Sequence, residues 1–198
     1  MNLKDGSKRL TSYPSNPVQA LRNRYLFTSE RLGFRNWSSD DLSEFAAMCA
    51  DPDVMEHFPS TLSIQETKEL IERLKDHYLQ HGHCYYACEV KETSEFIGFI
   101  GLAHQSYEAP FTPAVDMGWR LKKSAWGQGY ATEGANRCMQ FAFYDLGLDS
   151  LVAVCTTNNI KSEKVMQKVG MTRMGEFDHP KLNEHPDYQR CIWYEIKK

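Results

Sequence analysis

The segment from 114 to 155 constrains this chain more than any other. Apolar residues recur at Ala131, Ala135, Cys138, Met139, Ala142, Phe143 and Leu146, the spacing of one helix face. Gly147 stands where a left-handed residue ends such a helix. Ala114–Leu121 before the helix reads as a strand. So does the uniform apolar run 151–155 after it, which suits a strand buried on both faces. A strand, a crossover helix and another buried strand make a βαβ unit, so the chain needs a parallel strand pair.

The other elements fit around that unit. Residues 31–35 alternate polar and apolar and suit a first strand. Ser38 and Asp41 read as the cap of a helix that buries Leu42, Phe45, Ala46 and Cys49 and stops before Asp51-Pro52. Ser63-x-x-Glu66 is a capping box opening a helix over 64–80. Strands over 85–90 and 96–103 flank the polar turn 91–95, a hairpin. Asn158 or Asn159 caps a further helix that ends at Gly170, and strands over 171–177 and 189–197 close the chain. The expectation is a mixed α/β sheet of about seven strands with about four helices on its faces. Residues 1–22 show no periodicity and read as an N-terminal extension to a single domain over 23–198.

Composition narrows the function classes. With 198 residues, 41% hydrophobic and 25% charged, the chain can bury one ordinary core and needs no disulfide or metal to hold it. A net charge of −3 gives no basic field for nucleic acid. The longest apolar runs fall far short of a membrane span, and the charged N-terminus has no apolar stretch behind it, so neither membrane nor secretion is expected. The six cysteines contain no CxxC and read as free thiols of a cytoplasmic protein. His81-Gly82-His83-Cys84 has no second ligand cluster at metal spacing and reads as a turn with incidental imidazoles.

Chemistry concentrates at Trp126-Gly127-Gln128-Gly129-Tyr130-Ala131-Thr132, where the fourth strand turns into the long helix. Two glycines ahead of a helix let several N–H groups point outward at the positive end of the helix dipole. That arrangement suits a pyrophosphate; a plain tight turn is the other reading. Thr132 stands where a dinucleotide fingerprint needs a third glycine, and no Gly-Lys-Ser/Thr follows, so neither a Rossmann site nor a P-loop is present.

Five segments in order carry a family resemblance. They are Ser29-Glu30-Arg31-Leu32-x-Phe34-Arg35, Asp51-Pro52-Asp53-Val54-Met55, Met117-Gly118-Trp119-Arg120-Leu121, the glycine segment running on to Glu133, and Asn159-x-x-Ser162 running to Gly170-Met171. Together they resemble the GNAT superfamily of acetyl-CoA-dependent N-acetyltransferases, and within it the RimJ/RimL group that modifies ribosomal-protein N-termini.

The resemblance implies a sheet splayed between its fourth and fifth strands, with no metal. Pantetheine of acetyl-CoA would lie along the backbone of Trp119, Arg120 and Leu121. The diphosphate would rest on Trp126, Gly127, Gln128, Gly129, Tyr130, Ala131 and Thr132, with Asn159 and Ser162 from the second motif. An amine, either a peptide N-terminus or a small molecule, would attack directly in a ternary complex, without a covalent protein nucleophile. Acceptor choice would lie in loops 52–63, 104–113 and 178–188, with His57 and Phe58 as pocket walls.

The catalytic positions are less regular. Asp116 matches the position of a general base acting through water, or is an ordinary solvated strand residue. The usual acid Tyr is replaced by Met166. Ser162 is the alternative donor to the departing sulfur, or a first-turn Ser helping its own cap. Asp178 would orient His179 as another base, or the pair forms a turn before proline. Ser124 replaces the Gln or Arg that usually opens the phosphate loop. Lys161 and Lys164 either meet coenzyme phosphates or line a solvated helix face. The rival function is a non-catalytic acyl-CoA-binding regulatory module. The last strands leave monomer or homodimer open.

Overall fold

A computed structural model describes residues 24–198. The expected extension over 1–22 lies outside them. The elements run β1 (Phe27–Thr28), β2 (Leu32–Arg35), α1 (Leu42–Cys49), α2 (Ile64–His81), β3 (Tyr85–Val90), β4 (Glu95–Gln105), β5 (Ala114–Leu121), α3 (Tyr130–Gln140), β6 (Ser150–Thr156), α4 (Ile160–Lys168), β7 (Thr172–Asp178), the single turn α5 (Pro186–Gln189) and β8 (Arg190–Lys197).

Among the described residues the strands form one sheet in the order β1-β2-β3-β4-β5-β6-β8-β7. Neighbours are antiparallel except β5 and β6. One feature departs from the sequence reading, and a second is left open by it. The additional strand β1 has two residues, pairing Phe27 with Phe34 and Thr28 with Gly33, too few to show any period. The last strand also lies inside the sheet, between β6 and β7, so β7 forms the edge.

The capping expectations hold. Ser38 and Asp41 form a capping box ahead of α1, Ser63 and Glu66 form one for α2, and the Asn159 side chain caps α4 by accepting from Ser162 N–H at 3.0 Å. In α1, Phe45 and Cys49 are buried with Met48, while Leu42 and Ala46 are only half-buried. Phe45 packs against Trp37, Phe96 and Phe99. The next residue on β4, Ile100, points at Gly134 of α3. Successive strand residues face opposite ways, so α1 and α3 cover opposite faces of the sheet. Helix α3 reaches Gly147 through a widened last turn, in which Leu146 N–H bonds Phe141 C=O at 3.0 Å.

One buried ion network ties the N-terminal elements together. Glu89, 2% exposed, accepts from Arg24, from Tyr25 Oη at 2.9 Å and from Arg35 Nε at 2.6 Å, and Arg35 also grips Asp41 at the entry to α1. All six cysteines are free and buried, which fits small hydrophobes.

The feature that positions the site is the junction of β5 and β6. Strand β5 pairs with β4 along its whole length, from Ala114 to Leu121. With β6 it makes a single parallel pairing, Asp116 with Val152. Beyond that point the strands part, so the expected splay is present. The facing edges of 117–121 and 153–156 have no sheet partner among the described residues.

Candidate active site

The open seam leads to the N-terminus of α3. Gly127 and Gly129 adopt φ of 75° and 79°, the left-handed region that glycine enters without a Cβ penalty. Gly129 is the cap residue of α3 and supplies no side-chain acceptor. Helices α2 and α4 begin under side-chain caps, and α1 follows a turn capped by Ser38, whereas α3 has no such cap: its first N–H groups remain free for an anion. Glu133 in that first turn would repel a phosphate, but it is engaged elsewhere. It accepts from Ser29 Oγ at 2.6 Å, Arg31 N–H at 2.7 Å and Arg31 Nε at 2.6 Å, and these partners hold its carboxyl below the usual range. Arg31 also donates to Gln128 C=O at 3.0 Å and lies over the Tyr130 ring, bracing the loop from behind. Trp126 anchors the other end through Nε1 to Leu121 C=O at 2.8 Å. Lys161 sits over the Trp126 ring at 4.4 Å, placing a cation at the rim.

Cradle and seam belong to one cleft of about 760 Å³. At the apex lies Asp116, 8% exposed. Its Oδ2 accepts from the Tyr85 hydroxyl, and its Oδ1 is buried with no partner among the described residues. The Tyr85 ring reaches it across Gly118, where a Cβ would stand 2.9 Å from the ring. Burial pushes the Asp116 carboxyl up to about 7, against the opposing pull of the Tyr85 hydrogen bond. Burial and the neighbouring carboxylate push Tyr85 well up, so it remains a donor. Ser162 and Cys155 meet on the β6–α4 side of the same cleft, the hydroxyl beside the buried sulfur. The opposite wall comes from loops: His57 and Phe58 after α1, Tyr107 after β4, and His179 after β7, with Tyr107 and His179 rings 4.5 Å apart.

A parted parallel strand pair, an uncapped helix end and a buried carboxyl now share one cleft. The family model of the acetyltransferase (GNAT) domain matches residues 31–172. This chain belongs to the GNAT acetyltransferase family. It is similar to the uncharacterized N-acetyltransferase YnaD of Bacillus subtilis (strain 168), with 27% identity over 160 residues, 79% of this chain and 89% of YnaD. The crystal structure of the acetyltransferase from Agrobacterium tumefaciens str. C58 superposes with a TM-score of 0.71 at 25% identity, covering 96% of this chain and all of that one. RimL, a ribosomal L7/L12 alpha-N-protein acetyltransferase in complex with coenzyme A, shares the fold with a TM-score of 0.70 at 18% identity, covering 87% of this chain and 97% of RimL. The chain is an acetyltransferase that uses acetyl-CoA.

The GNAT cleft gathers nearly all the residues singled out in the sequence. Asp116, Trp119, Arg120, Leu121, Trp126, Gly127, Gly129, Tyr130, Ala131, Thr132, Asn159 and Ser162 all line it, while Gln128 turns back to bond Ser124 C=O at 3.1 Å. One bland reading fails: Asp116 is not a solvated strand residue, because it is buried. Ser162 does take part in the cap of its helix, its N–H donating to the Asn159 side chain, and it lines the cleft as well. Lys161 and Lys164 are both exposed, and of the two Lys161 lines the cleft. One catalytic reading also fails. Asp178 pairs with Arg190 at 3.2 Å rather than orienting His179. His179 Nδ1 accepts from Lys181 N–H at 3.2 Å, and burial lowers its pKa. The neutral ring then carries its proton on Nε2, which makes it a donor and not a base. Met166, in place of the acid Tyr, is 1% exposed in the core.

Tyr85 and Arg31 were not foreseen as parts of the site. Both act across more than thirty residues of chain, and only the strand register brings them in. The imidazoles of His77, His81, His83 and His104 do cluster, with ring centroids 4.4 to 6.0 Å apart. Two of their nitrogens serve the backbone, however: His104 N–H donates to His77 Nε2 at 3.0 Å, and His83 Nδ1 contacts Leu102 C=O at 3.2 Å. Among the described residues no group of three His, Cys, Asp or Glu side chains is arranged to hold a metal ion, and no helix is long and apolar enough to cross a membrane.

Proposed function

We propose that the chain transfers acetyl from acetyl-CoA to a primary amine by direct attack in a ternary complex. The observation that carries this reading is the seam that opens at Asp116–Val152, with a free β5 edge on one side and a buried carboxyl at its apex. The coenzyme diphosphate rests on the amides of 127–132, and the pantetheine arm pairs with the backbone of Trp119–Leu121 as an added strand. The thioester then lies at the apex. An incoming ammonium gives its proton to the Asp116 carboxylate through a bridging water, and the free amine attacks the thioester carbonyl carbon. Main-chain N–H groups of β5 steady the oxyanion. The C–S bond breaks, the Ser162 hydroxyl hydrogen-bonds the departing thiolate, and the thiolate takes up the proton that the attacking nitrogen loses on becoming an amide. A carboxyl near 7 suits this task, being about half ionised at neutral pH and basic enough to accept a proton.

Likeness to RimL at 18% identity supports the fold alone, so the peptide N-terminus keeps equal standing with small amines as acceptor. The test is calorimetry with acetyl-CoA, followed by free-thiol release with a panel of peptides and small amines. Micromolar binding and amine-dependent thiol release are expected. Tight binding without transfer to any amine is the outcome that would favour the rival, a regulatory module that has lost turnover.

A further inference from the structure

The cleft holds a cation without an anion. Arg24, Arg31, Arg35, Arg173 and Arg190 all reach carboxylates. Among the described residues Arg120 does not. Its Nη1 lies 3.7 Å from the Cys49 sulfur, a thiol that burial keeps protonated, and its Nε is buried with no partner among those residues. The Phe58 ring covers the guanidinium at 4.0 Å, and the Phe99 ring lies 5.3 Å away. Aromatic faces shelter a guanidinium from water but do not neutralise it. A desolvated cation left this way is costly unless a partner arrives. A second unpaired polar atom, His57 Nδ1, is buried on the same wall.

Register places this cation relative to the chemistry. Asp116, Gly118 and Arg120 alternate along β5 and share one face, the face of Phe99 with which Arg120 pairs. That face carries α1, opposite α3, whose N-terminus receives the diphosphate. Four residue steps separate Asp116 from Arg120, about 13 Å of backbone. The Arg120 side chain therefore lies on the acceptor side of the seam, well away from the proton acceptor.

The geometry points to an acceptor that carries a carboxylate several bonds from its amine, the nitrogen at Asp116 and the carboxylate on the free edge of the Arg120 guanidinium. This deepens the acetyl-transfer reading of the same cleft and rests on it. A planar guanidinium with no carboxylate on it among the described residues favours a carboxylate ligand, and its charge disfavours acceptors with a second ammonium at that end.

The test uses three acceptors of one length: 6-aminohexanoate, 6-aminohexanamide and 1,6-diaminohexane. Wild type is expected to show kcat/KM for the acid at least about tenfold above the other two. Arg120→Gln is expected to level the three through the acid's KM, while the KM for acetyl-CoA stays within about threefold. Arg120→Lys, which keeps the charge but loses the fork, should recover part of the preference. Equal or better use of the amide or the diamine by wild type overturns the proposal. So does an Arg120→Gln variant that weakens acetyl-CoA and leaves the acceptor order intact. A chain that binds acetyl-CoA yet acetylates none of the three is decided by calorimetry on wild type loaded with coenzyme A. Heat with 6-acetamidohexanoate and none with its amide upholds the carboxylate site while the transfer reading falls; no difference between them removes the site as well.

Discussion

The Asp116 carboxyl, pushed up to about 7 by burial, gives up its proton only near neutrality. Activity needs the ionised form, so kcat/KM should rise as pH climbs through about 7 and then level, in a pH–rate profile. Stability should move the other way. The folded pKa lies above the ordinary value of 3.8, so the contribution is complete below about 4 and lost as pH rises through 7. Asp116→Asn should therefore cut kcat roughly 10²- to 10⁴-fold while retaining acetyl-CoA binding. It should also melt about 5 °C higher than wild type at pH 8, the gap closing toward pH 4 in scanning calorimetry. His179→Gln, which loses a donor and not a base, should cost less than about tenfold. The sequence placed Asp116 on a strand but left open whether water covers it. The answer lies in Tyr85, which reaches the carboxyl because Tyr85, Gly101 and Gly118 stand side by side in the sheet. No local pattern announces that alignment.

At the scale of elements, the phosphate cradle works because two glycines turn α3 loose from a side-chain cap and Arg31 holds the loop from the opening strand. Gly129→Ala puts a Cβ at φ 79°, a strain of about 1–2 kcal/mol, although the nearest atom, Arg31 Nη2, is an unobstructive 3.5 Å away. Reorientation of the amides should raise the acetyl-CoA Kd roughly tenfold with the far-ultraviolet dichroism unchanged. Arg31→Met frees Glu133 to face the diphosphate and should weaken coenzyme binding by a similar factor, more so at low salt. Helices and the hairpin were legible because Ser63–Glu66, Asn159 and the periodic apolar faces are local signals. The widened turn at Phe141 was not, since a regular helix and one with a single wide turn share the same apolar spacing on either side. Nor was the insertion of β8 between β6 and β7, which depends on pairing between strands distant in the chain.

At the scale of the molecule, one sheet runs through the described residues, and its only parallel junction holds a single registered pair. A ligand bridging that junction binds the folded state alone. Acetyl-CoA at one hundred times its Kd should add about 2.7 kcal/mol. In thermal melts this corresponds to a rise of roughly 5–10 °C for a chain of this size, and adenosine diphosphate, lacking the pantetheine arm, should give less. An unpaired strand edge ordinarily invites stray chains and self-association. Here that edge faces inward, with β4 behind one lip and β8 behind the other, so a wandering polypeptide has no flank along which to dock. The amides of 117–121 and 153–156 that point into the seam, and not those bonded to β4 or β8, should consequently exchange fast with deuterated solvent in the free protein, slow sharply once the slender arm of the cofactor enters, and yet seed no aggregation in between.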